Sequence, residues 1–193
     1  TRRVAARNEL ERNEEALRQN PRAKVNRHHA GFLDRWWTLA WRRDDLTEAI
    51  AGLPRYVALT RVSSELRGPV FTFVDGRFHI EDSGVAFPFS DDYSFGILQS
   101  MAHSVWFRER CSTLETRLRY TSRSVFQSFL WPQSPASEAV DGVASASAAI
   151  VNYRAKAFRL GYSLADQYDV LRRPGRSELR DLHTALDAAV ATA

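Results

Sequence analysis

The sequence predicts an α+β fold, in which a small, mainly antiparallel sheet is packed by aromatic-rich helices and helical arms lie at both ends of the chain. Apolar residues recur at helical spacing before residue 50 and again after residue 93. Between these stretches, residues 56–89 contain short runs rich in valine, phenylalanine and threonine, which favour strands. The 193 residues, 44% of them hydrophobic, are enough to bury a core.

The first fifty residues predict three helices. Residues 3–20 show the Glu/Arg pairs of a solvent-facing helix, which a following Asn-Pro pair ends. A second helix is predicted over Gly31–Arg43, and Asp44 or Asp45 can cap a third that ends at Ile50. The apolar face of the second helix contains Phe32, Leu33, Trp36, Trp37, Ala40 and Trp41.

The middle of the chain predicts the strands. Residues 56–62 have strand composition, and two further runs, 70–74 and 77–80, flank Asp75-Gly76. This pair predicts a two-residue hairpin, because glycine accepts the positive φ of a type I′ turn. Residues 85–89 form another extended run, whose proline predicts a position at the edge of the sheet.

The strongest helical pattern covers residues 93–110, after Asp91 and Asp92, which are predicted to cap it. Its buried stripe contains Phe95, Leu98, Ala102, Val105 and Trp106. Two short extended pieces are predicted next, at 118–121 and 124–129.

A Trp-Pro-Gln-Ser-Pro linker at 131–135 precedes a helical C-terminal part. A long helix is predicted over residues 136–160, a short one around 164–171, and a last helix between about 179 and 190. Pro174-Gly175 predicts the turn before the last helix.

Positive charge is concentrated in two segments, although the net charge is only +4. Residues 1–30 carry eight basic and four acidic side chains, and residues 104–124 carry five arginines and two acids. Only Lys24 and Lys156 are lysines. Arginine binds phosphate and guanine with two parallel hydrogen bonds, so this choice fits nucleic acid. Codon preference in a GC-rich genome explains the same composition equally well.

The motifs of most enzyme classes are absent from the sequence. It contains no GxGxxG or GxxxxGK[ST] phosphate loop and no CxxC or HExxH zinc spacing. A PD-(D/E)xK nuclease motif cannot be built, because both lysines have arginine two residues earlier. The single cysteine, the absence of a long apolar run and a charged N-terminus predict a cytoplasmic protein with no membrane segment. We therefore expect no complete active site, no metal site and no cofactor within these residues.

Three residue pairs resemble catalytic or metal-binding groups but favour a structural role. His28-His29 are neighbours, whose side chains point to different sides, so a helix start or a phosphate contact is favoured over metal binding. Cys111 lies eight positions after His103, about 12 Å along a helix, too far for direct proton transfer. Asp91-Asp92 are better explained as helix caps than as paired acids.

The chemistry most in evidence is a mixture of arginine, hydroxyl and aromatic side chains in residues 106–131, with a second basic–hydroxyl patch at 61–64. Such groups donate to phosphate oxygens and base edges, so both segments are predicted to converge on a DNA duplex. The predicted contacts are Arg61, Ser63, Ser64, Arg67, Arg117, Arg119, Tyr120, Thr121, Ser122 and Arg123. Tyr120 is alternatively a core residue with its hydroxyl bonded internally, and some arginines alternatively pair with Glu115 or Asp92.

Several ordered motifs resemble one protein family. These are Trp36-Trp37, Pro54-Arg55-Tyr56, DDYSFGILQS at 91–100, RCSTL at 110–114, LRYTS at 118–122, VFQSF at 125–129 and WPQ at 131–133. Together they resemble the target-recognition region of large class I, adenine N6-specific DNA methyltransferases, including MmeI-like restriction–modification enzymes. One departure is FLWP at 129–132, where the family usually has FPWP.

The resemblance implies that the chain recognises a DNA site and leaves catalysis to another part of its parent. The family binds S-adenosylmethionine and flips adenine out of the duplex, but its cofactor loop and (D/N/S)PP(Y/F) motif are missing here. The implied partners are double-stranded DNA and the methyltransferase domain of the same polypeptide. The implied domains are a helical connector at 1–30, a recognition domain at 31–132 and a helical tail at 133–193.

Two other functions remain open at this stage. The chain could be a protein-interaction or structural module that docks a partner subunit without touching DNA, which a large exposed apolar patch would favour. It could also be an enzyme of unknown chemistry, which would need a deep pocket with convergent titratable groups.

Overall fold

The computed structural model describes residues 2–25, 30–35, 43–64, 68–114 and 117–193. The chain divides into two compact units, Thr1–Asp44 and Asp45–Ala193. The predicted tryptophan helix falls largely on residues 36–42, which lie outside the described residues, as do His28 and His29.

The first unit contains a helix, α1 (Arg2–Gln19), and a short 3-10 turn at Ala30–Phe32. Helix α1 confirms the prediction for residues 3–20. The predicted second helix does not begin as an α-helix at Gly31, because the chain forms this 3-10 segment and then a turn at residues 33–34.

Helix α2 (Asp44–Ile50) confirms the third predicted helix, and Gly52, with a φ of 77°, turns the chain after it. The first sheet follows, with strands β1 (Arg55–Thr60), β3 (Thr72–Asp75) and β4 (Gly84–Phe87). The strand order is β3-β1-β4 and both pairings are antiparallel, so β4 lies at an edge as its proline predicted.

The predicted hairpin at Asp75-Gly76 is wrong. Both β3 and β4 pair with β1, and residues 77–80 form no strand. Asp75 accepts hydrogen bonds from the backbone amide and the guanidinium of Arg77, which fixes a local turn. Gly76 donates to the carbonyl of Pro54 at 3.0 Å. A Cβ at this position would overlap the Leu53 carbonyl, and the φ of Gly76 is not positive. Close packing on the 53–54 bend, rather than a type I′ turn, explains this glycine.

The predicted helix over 93–110 is two helices, α3 (Asp92–Gln99) and α4 (Met101–Arg110). Asp91 caps α3 by accepting from the Ser94 amide at 2.7 Å, as predicted. Ser100 is extended and bonds both ends: its hydroxyl donates to the Ile97 carbonyl and accepts from the His103 amide. This internal cap turns the chain between the helices.

The second sheet is smaller and has the order β2-β6-β5. Its strands are β2 (Val62–Ser63), β5 (Ser112–Leu114) and β6 (Arg117–Arg119), all antiparallel. The extended piece predicted at 124–129 is wrong, because Ser122–Phe126 form a single π-helical turn. Trp106 stabilises this turn by donating from its indole nitrogen to the Val125 carbonyl at 3.1 Å.

Three helices, α5 (Ser137–Arg159), α6 (Leu164–Asp169) and α7 (Glu178–Ala191), confirm the predicted C-terminal part. They share a core with α3, because Ile97 packs in the same cluster as residues of α5 and α7. A second cluster lies between the first sheet and helices α3 and α4. Within the part of the chain that the structure describes, no helix has the length and apolar character needed to span a membrane.

Candidate nucleic-acid interface

The second sheet joins the two segments that the sequence predicted to converge. Val62 pairs with Arg119, and Ser63 pairs with Leu118, so β2 lies directly beside β6. The amide of Tyr120 donates to the Arg61 carbonyl at 2.7 Å and extends this contact by one residue. The segments 61–64 and 117–123 therefore lie side by side, as predicted, and their convergence on a DNA duplex stays a prediction.

Alternation along β6 gives the second sheet an outer and an inner face. Arg117 and Arg119 point to the same side, and both are exposed, whereas Leu118 between them packs on the core. The outer face consists of these two arginines and their register partners Val62, Ser112 and Leu114. Arg119 forms no ion pair with any residue that the structure describes. Arg119 thus presents its positive charge to solvent on the outer face.

The π-helical turn continues this surface after β6. Ser122 and Arg123 are exposed, and Arg123 has no carboxylate partner among the described residues. Thr121 and Ser124 are hydrogen-bonded through their hydroxyls, and Ser124 donates to the Arg110 carbonyl at 2.9 Å. Thr121 therefore stabilises the turn and is only partly exposed.

Tyr120 is not a surface residue, which corrects its prediction as a DNA contact. It is 2% exposed, its ring stacks on Phe107 at 5.5 Å, and its hydroxyl is 3.1 Å from Nε2 of His103. Burial raises the pKa of the Tyr120 hydroxyl above its usual value and lowers the pKa of the His103 imidazole to about 4. The structure therefore agrees with the alternative, in which Tyr120 is a core residue with its hydroxyl bonded internally.

The remaining predicted contacts are placed less favourably. Ser63 is buried, since it lies opposite Leu118 on the inner face. Arg61 is partly buried and donates to Asp82 at 3.4 Å, so its charge is partly balanced. Ser64 is exposed at the end of β2, and Arg67 lies outside the described residues.

One cation beside this surface was not among the predicted contacts. Arg108, in the last turn of α4, is exposed, and its guanidinium lies beside Gly68. Gly68 donates to the Ser64 carbonyl at 3.2 Å and has a φ of 67°, which brings the chain after β2 back to α4. The signal was present in the sequence, because Arg108 belongs to the arginine-rich segment 104–124.

Among the described residues of this surface, no groups that could support catalysis converge. Cys111 ends α4, its thiol lies 3.6 Å from the Arg108 carbonyl, and burial raises its pKa. Within the described ranges, no group of three or more histidine, cysteine or acidic side chains is placed to hold a metal ion. A groove of about 530 Å³ beside β2 is lined mainly by aliphatic and hydroxyl side chains, with Glu81 as the charged residue among those described.

Comparison with protein families identifies the segment that contains this surface. The family described as the target recognition domain of MmeI matches residues 39–133. Residues 39–133 are therefore similar to the MmeI target recognition domain over just under half of the chain. The family predicted from the sequence is therefore confirmed, and both sheets, α3, α4 and the π-helical turn belong to this recognition domain.

The similarity extends beyond the recognition domain. The structure of the type IIL restriction–modification enzyme MmeI in complex with DNA matches with a TM-score of 0.72 and 26% identity. The match covers 92% of this chain, which itself spans only 22% of the length of that MmeI chain. Among curated protein sequences no match was found.

Proposed function

We propose that this chain recognises a specific DNA sequence for a larger restriction–modification protein. The pairing of β2 with β6 carries the proposal, because it joins both basic–hydroxyl segments in one sheet with Arg117 and Arg119 on the outer face. MmeI, whose fold this chain shares, was solved in complex with DNA. The proposed contacts are Ser64, Arg117, Arg119, Ser122 and Arg123, with Arg108 added at the edge.

The outer face suits the major groove of B-DNA. An antiparallel ribbon of two strands fits that groove, and β5 with β6 forms such a ribbon. Arginines that alternate along one strand point to the same side, so Arg117 and Arg119 approach base edges together. A guanidinium donates two hydrogen bonds to guanine O6 and N7, which distinguishes guanine from the other bases. Arg123 on the π-helical turn is better placed for phosphate.

Catalysis is assigned to the rest of the parent protein. The described lining of the 530 Å³ groove has no glycine-rich loop that would hold S-adenosylmethionine, so the fit to this cofactor is poor. We place cofactor binding and adenine N6-methylation in a methyltransferase domain of the same polypeptide, outside residues 1–193. Cytoplasmic location follows from this role, since that is where bacterial-type restriction–modification proteins meet DNA.

The salt dependence of DNA binding tests the proposal. Replacing Arg117, Arg119 and Arg123 together by alanine should weaken binding to duplex DNA and flatten the plot of log K against log salt. The slope falls by about 1 for each arginine that contacts a phosphate, because fewer counterions are released. Fluorescence anisotropy with a labelled duplex at several salt concentrations gives both quantities.

A matched variant controls for net charge. Arg159, Arg173 and Arg176 are exposed arginines of the C-terminal part, and their replacement by alanine removes the same three charges. This control should keep most of the affinity and the slope. Equal losses in both variants, or none in the first, would contradict the assigned surface.

One observation favours a protein-contacting role as the second candidate. Val105 and Leu130 line a cavity of about 480 Å³ and are exposed, Leu130 by 81%, and Met101, on the same helix as Val105, is exposed as well. Exposed apolar groups in one place are typical of surfaces that bind protein. Unchanged DNA binding in the triple-alanine variant would favour this role.

A further inference from the structure

We infer that the buried Tyr120–His103 pair is a positioning device, which holds Arg119 and the π-helical turn in the geometry needed to distinguish base pairs. The inference rests on the proposed DNA recognition and adds to it two residues that never touch DNA. Tyr120, which the sequence predicted as a DNA contact, is thereby proposed to position the contact residues instead.

The backbone at Tyr120 connects three parts of the surface. Its amide donates to the Arg61 carbonyl at 2.7 Å, which holds the end of β6 against the chain before β2. Arg119 precedes it directly, and Thr121 follows it and accepts from the Val125 amide at 2.9 Å to begin the turn. A shift of Tyr120 therefore moves Arg119 and the turn together.

The side chain of Tyr120 determines where that backbone can lie. Its ring stacks on Phe107 at 5.5 Å and meets Phe87 edge-on at 5.6 Å, so it is fixed inside the core. The Tyr120 hydroxyl makes one hydrogen bond within the described residues, with Nε2 of His103 at 3.1 Å. His103 is fully buried on α4, and its Nδ1 has no hydrogen-bond partner there. The Tyr120 hydroxyl is thus the group that gives Nε2 of this imidazole a partner.

The pair links the two elements that carry the cations. His103 belongs to α4, which ends with Arg108 and Arg110 and whose Trp106 donates to Val125 in the π-helical turn at 3.1 Å. Tyr120 directly follows β6, the strand that contains Arg117 and Arg119. Without the hydrogen bond, Nε2 of His103 would be buried and unpaired, and only apolar packing would hold Tyr120 against α4, so β6 and α4 would be free to shift relative to each other.

Such a shift affects base contacts and phosphate contacts differently. A bidentate contact between arginine and guanine requires the guanidinium to lie within about 0.5 Å of its position. A phosphate contact by a long, flexible side chain tolerates more movement. Loss of the pair should therefore lower sequence discrimination and leave non-specific binding and its salt slope unchanged.

The test is Tyr120→Phe with Tyr56→Phe as the matched control. Tyr56 is also fully buried, and its hydroxyl donates to the Phe78 carbonyl at 2.9 Å, but it lies in the first sheet. The 193-residue chain first selects its preferred duplex from a randomised library. We expect the ratio of affinities for the selected and a scrambled duplex to fall about tenfold in Tyr120→Phe. In Tyr56→Phe this ratio should stay within about twofold, with similar loss of thermal stability in both.

A third variant separates positioning from stability. In Tyr120→Phe/His103→Leu, no polar group of the pair remains buried, so stability should recover. Discrimination should stay low, because the hydrogen bond is still absent. Recovery of discrimination together with stability would overturn the inference.

Hydrogen exchange of the free chain gives a readout that needs no DNA. Amides of residues 117–127 should exchange faster in Tyr120→Phe than in Tyr56→Phe. Unchanged discrimination and exchange in Tyr120→Phe would overturn the inference alone. Failure of the wild-type chain to select any sequence would overturn the proposed function, and with it the part of the inference that concerns DNA.

Discussion

Neighbouring residues in β6 and directly after it differ in exposure and therefore in role. Arg117 and Arg119 are exposed, Leu118 packs on the core, and Tyr120 is buried. The sequence shows all four as one basic–hydroxyl–aromatic segment. It identifies the surface, but the division between contact and core depends on strand register, which a single sequence fixes only when one face is strongly apolar. Ser63 was misplaced for the same reason, because its partner Leu118 turns it inward.

Buried His103 and partly buried His183 make stability depend on pH. Burial lowers the pKa of His103 to about 4, and burial with the charge of Arg154 lowers that of His183 to about 4. Unfolded histidine binds its proton near pH 6.5. Between these values the unfolded chain holds more protons, so stability is full above about pH 6.5 and falls as the pH drops towards 4.

Urea denaturation at pH 7.5 and pH 5.0 measures this effect. The free energy of unfolding should fall by about 1–2 kcal/mol for each of the two histidines. His103→Gln and His183→Gln should each reduce the difference in unfolding free energy between the two pH values by the amount that the replaced histidine contributes. A wild-type chain equally stable at both pH values would show that these imidazoles are not buried as neutral groups.

At the scale of elements, three helical features were predicted well. The cap at Asp91, the helix that ends at Ile50 and the long helix α5 all match their patterns. The hairpin at Asp75-Gly76 was wrong, since that glycine packs against Leu53 instead of forming a type I′ turn. Pairing of β3 and β4 with β1 joins residues far apart in the chain, which local turn signals do not report.

The contact between α3 and α5 depends on Gly96. A Cβ on Gly96 would overlap Ser147 Oγ and lie 2.7 Å from Val143 Cγ1, both fully buried. Gly96→Ala should therefore lower the free energy of unfolding by about 1–3 kcal/mol through overpacking.

Gly142 provides the control for this substitution, because it lies in α5 with no atom within 4 Å of an added Cβ. Gly142→Ala should raise the free energy of unfolding by about 0.5–1 kcal/mol through helix propensity. Chemical denaturation measures both variants, and a similar gain for Gly96→Ala would contradict close packing between the two helices.

At the scale of the whole molecule, the C-terminal helices are part of the unit that contains the recognition surface. Arg154 of α5 is 3% exposed and donates to the Phe71 carbonyl at 2.6 Å and to Gln99 at 3.0 Å. It also bonds the Tyr168 hydroxyl on α6, and it forms no ion pair within the described residues. Phe71 in turn meets Tyr120 edge-on at 6.1 Å. Buried contacts therefore run from the C-terminal helices to the strand behind the outer face.

The division into a connector (1–30), a recognition domain (31–132) and a helical tail (133–193) stays a prediction about function. In the structure, residues 45–193 pack as one unit. The sequence indicated the C-terminal helices and the convergence of 61–64 with 117–123. It could not show the Arg154 contacts, since a buried arginine without a carboxylate partner has the same sequence pattern as an exposed one.

Selection of preferred sites by single-arginine variants tests the central claim most directly. The wild-type chain and its Arg117→Ala, Arg119→Ala and Arg159→Ala variants would each select duplexes from a randomised library. We predict that Arg117→Ala and Arg119→Ala each lose the preference at one or two base pairs, by about 1–3 kcal/mol, and keep the rest of the site. Arg159→Ala should select the wild-type site. Identical selected sites for all four proteins would contradict recognition by the outer face of the second sheet.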